Sequence, residues 1–250
     1  MKRLTIKQVI VRIAIITSIV ELFFMLTLKH SSLVRDNIAE HFIAPFNAAI
    51  LIAISTPLIY FLVIKPFIIA HNEALAKINH LAYSDPLTQL ANRRFFLRHL
   101  EMAVSSTVRH KIYGALLLLD LDGFKLINDT HGHDAGDAVL VEIAKRLQSI
   151  TRTEDVVGRL GGDEFVVLID YLDVDKGIAH DKVSRITTKL INHINNPIDF
   201  NGKMLHVGVS IGIRLLSFEK VEAETAIGEA DIALYRAKQA GRGCAVFFEI

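Results

Sequence analysis

A run of 23 residues without a charged side chain, residues 42–64, restricts the fold of this chain more than any other feature of its sequence. A helix rises about 1.5 Å per residue, so a helix of this length crosses the roughly 30 Å hydrocarbon core of a bilayer. In lipid, only helices and closed barrels satisfy all of their backbone hydrogen bonds. The run therefore predicts a transmembrane helix.

A second apolar run, residues 9–28, is less regular because it contains Arg12 and Glu21. It is longer than the apolar core of an ordinary signal peptide, and no small-residue cleavage site follows it. Together the two runs predict a hairpin of transmembrane helices in residues 1–65. A mean hydropathy of +0.37 for the whole chain agrees with a lipid-embedded part.

The basic residues indicate how this hairpin is oriented. Three of them precede the run 9–28 and Arg12 lies near its start, whereas the two in the loop that connects the runs are offset by two acids. The positive-inside rule then places the N-terminus and everything after residue 65 in the cytoplasm. We expect a multi-pass protein of the bacterial inner membrane, with membrane lipid as a partner.

Residues 66–84 have the pattern of a helical signalling linker. Ile68, Leu75, Ile78 and Ala82 fall on one seam at the three- and seven-residue steps of a coiled coil. The seam predicts a parallel helix pair between two copies of the chain, and a monomeric linker helix fits almost as well.

Charge and cysteine content exclude two classes of protein. The net charge is +1, with 28 Lys and Arg against 27 Asp and Glu, so the chain lacks the basic field that collects nucleic-acid phosphates. The single cysteine, Cys244, cannot form an intramolecular disulfide or a CxxC metal site. We expect no nucleic-acid partner and a reducing compartment.

Residues 85–250 alternate strand-like and helix-like segments, which predicts an α+β domain with a mixed central sheet flanked by helices. Residues 114–119 form an apolar run that ends in Asp120, as in a buried central strand. Gly161 and Gly162 separate two further strand-like runs and predict a tight hairpin. Helical spacing marks residues 136–150, 173–195 and 222–239.

Two pairs of acidic residues lie about 40 positions apart: Asp120 with Asp122 at a strand end, and Asp163 with Glu164 at the hairpin tip. If the two strands are neighbours, the pairs meet and provide the hard oxygen ligands that magnesium prefers. Two such ions are a common device for phosphoryl and nucleotidyl transfer. The alternative is that these acids only solvate turns.

Four segments then resemble motifs of the GGDEF family of diguanylate cyclases, and they occur in the order of that family. They are residues 85–94 (DPLTQLANRR), 120–137 (DLDGFKLINDTHGHDAGD), 161–165 (GGDEF) and 237–242 (AKQAGR). The resemblance implies the nucleotidyl-cyclase-like fold and a reaction that condenses two GTP molecules into cyclic di-GMP. One departure is Gln89, where the family usually has glycine.

The resemblance also implies roles for the acidic residues. Asp120, Asp163 and the carbonyl of Leu121 would hold magnesium, and Glu164 would assist with a second ion. Asp163 would accept the proton of the attacking 3′-hydroxyl, as a carboxylate beside a metal-bound hydroxyl can.

Further residues are implied to bind the substrate. Lys125, Lys238 and Arg242 would stabilise the triphosphate, the last two from one side of the final helix. Asn128 and Asp137 would read guanine, because a carboxylate accepts from the N–H groups of its Watson–Crick edge. Phe124 and His133 would lie beside the nucleotide. A zinc site at the histidines is disfavoured, since no closed tetrahedral ligand set is present.

Arg152 and Asp155 form an RxxD pair that resembles the family's product-inhibition site. Its arginine offers a planar fork to phosphate or guanine, and the alternative is a weak surface ion pair. Because each domain would bind one GTP, the reaction implies a homodimer. Three rival functions are an inactive cyclic di-GMP receptor, a membrane scaffold and a cyclase for another nucleotide.

Overall fold

The computed structural model of the chain describes residues 6–30, 40–72, 83–219 and 221–249. The chain divides into two compact units, Met1–Asn79 and His80–Ile250.

The first unit is helical. Helix α1 spans Ile6–His30, and α2 spans Glu40–Ile59, followed by a π-helical turn, Tyr60–Ile64, and further helix to residue 72. Among the described helices, one segment, Ile52–Asn72, is long and apolar enough to cross a bilayer. It overlaps the predicted span at residues 52–64.

The other predicted span, residues 9–28, lies within α1 and is helical, but it does not meet the same test. Arg12 and Glu21 lower its apolar character. A two-helix membrane anchor therefore stays a prediction. Three of the four residues of the predicted coiled-coil seam, Leu75, Ile78 and Ala82, lie outside the described residues.

The second unit contains a mixed sheet and its covering helices. The helices are α3 (Arg93–His110), α4 (Phe124–His131), α5 (His133–Ile150), α6 (Lys176–Ile194) and α7 (Ala223–Gln239). The strands of the main sheet are β1 (Ala91–Asn92), β2 (Tyr113–Asp122), β3 (Val156–Gly161), β4 (Glu164–Asp173), β7 (Gly208–Leu216) and β8 (Ala245–Phe247). Strands β5 (Ile198–Phe200) and β6 (Lys203–Leu205) form a separate hairpin.

The main sheet has the order β1-β3-β4-β2-β7-β8. Its four central strands, β3, β4, β2 and β7, pair antiparallel with one another, while the edge strands β1 and β8 pair parallel with β3 and β7. The predicted mixed α+β fold is confirmed, as are the central strand, the Gly-Gly hairpin and the three predicted helices.

Burial of both faces explains why β2 is apolar without interruption. Successive side chains of a strand point to opposite faces. Leu117 and Leu119 pack in a core cluster with α4, α5 and α6, whereas Leu116 and Leu118 pack in another with α3 and α7. Asp120 continues the alternation of Leu116 and Leu118, so it lies on the α7 side of the sheet.

Several elements carry no periodic signal strong enough to predict them. Helix α3 follows the opening motif, and its N-cap is Asn92, whose side chain accepts a hydrogen bond from the backbone N–H of Phe95. Helix α4 is only 8 residues long, and β5 and β6 have 3 each. Such short elements depend on tertiary packing more than on local propensity.

The opening turn forms despite the glutamine at the usual glycine position. Gln89 has a left-handed backbone with φ of 61°, which favours glycine. Its N–H donates to the carbonyl of Asp85 over 2.9 Å, and its side-chain amide donates to the carbonyl of Pro86 over 2.7 Å. These contacts hold the turn in the conformation that a glycine would adopt with less strain.

Helix α7 lies in close contact with β7 at Gly212. A Cβ atom on Gly212 would overlap the carbonyl oxygen of Ala230 and the backbone nitrogen of Leu234. Small residues face the strand along this helix, since Ala226, Ala230 and Ala233 are fully buried. Glycine at position 212 thus allows α7, which carries Lys238, to pack close to the sheet.

We predict that Gly212→Ala lowers the free energy of unfolding by about 1–3 kcal/mol, because the helix backbone must move to admit the methyl group. Urea unfolding of the purified protein measures the change. Gly228→Ala, on α7 itself and with open space around it, is the control and should be neutral or slightly stabilising. Equal stability of Gly212→Ala and the wild type would contradict this account of the packing.

Candidate active site

The two acidic pairs predicted from the sequence meet at one end of the sheet. Strands β2 and β4 are antiparallel neighbours, and Asp120 is the register partner of Glu164. In an antiparallel pair, directly opposed residues have Cβ atoms about 5 Å apart and point to the same face. The prediction that these carboxylates converge is confirmed, and the face they share is the one covered by α7.

The hairpin between β3 and β4 presents Asp163 next to this pair. Gly161 and Gly162 have φ angles of 150° and 54°, which a residue with a side chain rarely adopts. The N–H of Leu121 lies 3.4 Å from the carbonyl oxygen of Asp163, so the hairpin tip is held against the end of β2. The carbonyl of Leu121, the predicted metal ligand, belongs to this same strand end.

Arg159, which was not predicted from the sequence, binds the tip of the β3–β4 hairpin to the opening motif. Its Nε and Nη2 donate to the carbonyl oxygen of Gly162 at 3.0 and 2.7 Å, and its Nη1 lies 3.1 Å from Oδ1 of Asp85. Burial alone would raise the pKa of Asp85, but hydrogen bonds from Thr88 and Arg159 outweigh burial and lower it. The opening motif and the hairpin are thereby joined through one guanidinium.

Two basic side chains, Lys238 and Arg242, lie beside the carboxylates at the end of β2. The ammonium of Lys238, in the last turn of α7, lies 2.7 Å from Oδ2 of Asp120. Nε of Arg242 lies 3.7 Å from Oδ1 of Asp122. The expectation that both cations project from the final helix is wrong for Arg242, because α7 ends at Gln239 and Arg242 lies in the following turn.

Burial and neighbouring negative charge raise the pKa of two of the acids, Asp120 and Glu164. Burial raises the pKa of Asp120, and the charges of Asp163 and Asp122 add to this effect, while Lys238 opposes it. Partial burial raises the pKa of Glu164, and the charges of Asp120, Asp163 and Asp231 raise it further. Asp231, on α7, was not singled out from the sequence. This end of the sheet is a concentrated negative field that favours a bound cation.

The donor set fits magnesium better than a cation that needs a closed protein cage. No group of three acidic, histidine or cysteine side chains within the described ranges is close enough to form a complete ligand set. Magnesium is usually bound through one or two carboxylates, with water and substrate phosphate as its remaining ligands. Asp120, the tip residue Asp163 and a strand carbonyl match that partial set.

The predicted guanine readers lie on the neighbouring helices. Asn128 is in α4, Asp137 is exposed near the start of α5, and a Cβ on Gly136 would overlap the side-chain oxygen of Asn128. Lys125 and His133 are exposed near the starts of these same helices. Phe124, in contrast, is only 9% exposed and belongs to the hydrophobic core.

Arg152 and Asp155 close a turn before β3. The N–H of Arg152 donates to Oδ2 of Asp155 over 2.8 Å, and the N–H of Asp155 donates to the carbonyl of Arg152 over 3.1 Å. Burial raises the pKa of Asp155. The Arg152 guanidinium is exposed, with a long contact of 3.8 Å to Glu154. A cleft of about 600 Å³ opens beside this turn, between it and α3.

Comparison with known proteins gives a consistent result for the second unit. Residues 82–244 match the family model described as the diguanylate cyclase GGDEF domain. The probable diguanylate cyclase DgcE of Escherichia coli is 39% identical over 180 residues, which cover 70% of this chain and 15% of DgcE. The chain spans 15–25% of the length of this and two other curated relatives that it matches.

Two solved structures have the same fold. The isolated GGDEF domain of TpbB from Pseudomonas aeruginosa is 38% identical, with a TM-score of 0.62, and covers 67% of this chain and 95% of that domain. The GGDEF domain of DgcB from Caulobacter crescentus, solved with cyclic di-GMP, is 25% identical with a TM-score of 0.61. This second match covers 68% of this chain and 97% of the DgcB domain.

We predict that Gly136→Ala weakens GTP binding about tenfold, because the new methyl group displaces Asn128 and costs about one hydrogen bond. Stability should change little, since alanine favours the helix. Equilibrium binding of a non-hydrolysable GTP analogue measures the effect, and Asn128→Ala sets its expected size. Wild-type affinity in Gly136→Ala would contradict a role for Asn128 in binding.

Proposed function

This chain belongs to the GGDEF family, and from that premise we propose that it is a membrane-anchored diguanylate cyclase that condenses two GTP molecules into cyclic di-GMP and two pyrophosphates. The observation that carries the proposal is the register of β2 and β4, which sets Asp120 opposite Glu164 beside the hairpin tip. The named diguanylate cyclases among its relatives support the same reaction.

Each half-reaction joins two nucleotides held by two copies of the domain. Asp163 accepts the proton of a 3′-hydroxyl, whose oxygen bonds to the α-phosphorus of the partner's GTP as the bond to pyrophosphate breaks. Asp120, Asp163 and the Leu121 carbonyl, with help from Glu164, would hold magnesium, which would lower the pKa of that hydroxyl and offset phosphate charge. Two such steps close the ring, so the active species is a homodimer.

The cations act on the triphosphate. Lys125 at the start of α4, Lys238 and Arg242 stabilise the negative charge that moves onto the departing pyrophosphate. Lys238 contacts Asp120, which would hold magnesium, and Arg242 lies beside Asp122 on the same strand end. When metal and GTP occupy the site, the two basic side chains would leave the carboxylates and pair with the phosphate groups, which are also negative.

Asn128 and Asp137 select guanine. The Asp137 carboxylate accepts hydrogen bonds from the N–H groups on guanine's Watson–Crick edge, whereas adenine would set an acceptor against it. Such mismatched hydrogen-bonding groups can discriminate between bases by several orders of magnitude. His133 lies on the same helix as Asp137 and borders the nucleotide. Phe124 contributes from the core, by supporting α4 under Asn128.

Product inhibition occurs at Arg152 and Asp155. The turn fixes the aspartate and leaves the guanidinium exposed at the rim of the cleft, where it can bind phosphate or guanine with its planar fork. The DgcB domain solved with cyclic di-GMP supports product binding in this family. Accumulated product thus slows its own synthesis.

The first unit anchors the enzyme in the bacterial inner membrane, with the catalytic domain in the cytoplasm. The apolar helix segment Ile52–Asn72 supports one span, and the apolar run within α1 provides the other. The linker after these helices favours pairing of two copies, which sets the dimer population and therefore the rate.

Incubation of the purified full-length protein with GTP and magnesium should yield cyclic di-GMP, identified by its mass. Asp163→Ala should lower the rate by at least about 100-fold, because the proton acceptor and a metal ligand are both lost. ATP in place of GTP should give no cyclic dinucleotide. A wild-type protein that binds cyclic di-GMP but makes none would favour the receptor function instead.

Arg152→Ala should remove product inhibition, because it deletes the exposed phosphate-binding fork of the inhibitory site. Progress curves with added cyclic di-GMP measure the effect: the wild-type rate falls as product is added, and the variant rate does not. Arg185→Ala removes an exposed arginine from α6 and is the control, which should remain inhibited. Inhibition of equal strength in wild type and Arg152→Ala would contradict this site.

A further inference from the structure

Ser210 is a fully buried serine on β7 whose hydroxyl faces the acidic strand end. Its Oγ lies 2.9 Å from both carboxylate oxygens of Asp122, so its single hydrogen is shared between them. The register sets Ser210 opposite Asp120 and Gly208 opposite Asp122, which makes Ser210 and Asp122 diagonal neighbours. A buried hydroxyl directed at a carboxylate fixes the orientation of that carboxylate.

The same carboxylate binds the turn that follows α7. The N–H of Gly243 donates to Oδ2 of Asp122 over 3.1 Å, and Nε of Arg242 lies 3.7 Å from Oδ1. Gly241, Arg242 and Gly243 have φ angles of 114°, 64° and 61° in succession, and Arg242 is the one of these three that carries a side chain. Such a conformation costs a non-glycine residue about 1–2 kcal/mol. The N–H of Arg242 donates to the carbonyl of Ala237 over 3.2 Å, and the contacts with Asp122 add a second restraint on the turn.

Ser210, Asp122 and the turn thus form a continuous chain of contacts that ends at the Arg242 guanidinium. We propose that Ser210 is a positioning residue for nucleotide binding: it orients Asp122, which holds the closing turn and directs Arg242 toward the triphosphate. The inference rests on the proposed function, since Arg242 is assigned to the triphosphate there. Ser210 itself touches no substrate.

Lys238, the other basic residue at this strand end, should not depend on Ser210. Lys238 contacts Asp120 directly, and Ser210 donates to Asp122 and not to Asp120. Loss of the Ser210 hydroxyl should therefore disturb Arg242 and leave the Lys238 contact in place. Ser210→Ala removes one hydrogen bond to a charged group, so the turn is held less firmly. We expect nucleotide affinity to fall about tenfold as a result.

A double-mutant cycle tests this path. Equilibrium binding of a non-hydrolysable GTP analogue with magnesium is measured for the full-length wild type, Ser210→Ala, Arg242→Ala and the double variant. Ser210→Ala should weaken binding about tenfold in the wild-type background and have almost no further effect when Arg242 is already alanine. The same fold-loss in both backgrounds, or no loss in either, would overturn the proposal.

Two further variants separate positioning from general instability. Ser210→Cys keeps the shape of the side chain but has a weak S–H donor, so its affinity should fall between those of wild type and Ser210→Ala. Thr187→Val removes a buried hydroxyl from α6, which packs on the opposite face of the sheet, and should not change affinity. An affinity loss in Thr187→Val equal to that of Ser210→Ala would count against a specific role.

The failure of the inference and that of the proposed function are distinguishable in the same experiment. If the wild type does not bind the GTP analogue at all, the proposed function fails. If the wild type binds the analogue and Arg242→Ala binds it more weakly, the proposed function stands. If Ser210→Ala then has no effect on affinity, or the same effect in both backgrounds, only the positioning role fails.

Discussion

The antiparallel pairing of β2 with β4 is the constraint on which the site depends. A strand alternates its side chains, so a shift of one residue in this register would turn Asp120 away from Glu164 and bury a charge in the core. The buried charge opposes that shift, and so does the specific packing of the apolar residues of both strands in two distinct cores. The hydrophobic core thus fixes the position of the acids.

The acids are costly to hold together, and the surrounding contacts offset part of that cost. Lys238 lies on Asp120, and Arg159 ties the hairpin tip to Asp85, while burial and mutual repulsion raise the pKa of Asp120 and Glu164. A site assembled against its own electrostatic repulsion gains stability when a divalent cation and phosphate bind. Ligand binding and local stability are linked for this reason.

Much of the second unit could be predicted because its strands and helices have regular apolar periodicity. The meeting of the acidic pairs also followed from one strand end and one Gly-Gly hairpin. Arg159 and Ser210 could not be found this way, since their roles depend on partners 74 and 88 positions away. Arg242 was assigned to the final helix from its four-residue spacing to Lys238, although that helix ends at Gln239 as predicted. The short α4 and β5 carried too few residues for a periodic pattern.

Binding of Mn²⁺, followed by electron paramagnetic resonance in the presence of a non-hydrolysable GTP analogue, tests most directly whether the strand end and the hairpin tip share a cation. A shared ion predicts that Asp120→Asn and Asp163→Asn each weaken Mn²⁺ binding by about tenfold or more, because each removes one carboxylate ligand of the same ion. Wild-type Mn²⁺ affinity in Asp163→Asn, with a loss only in Asp120→Asn, would contradict the account.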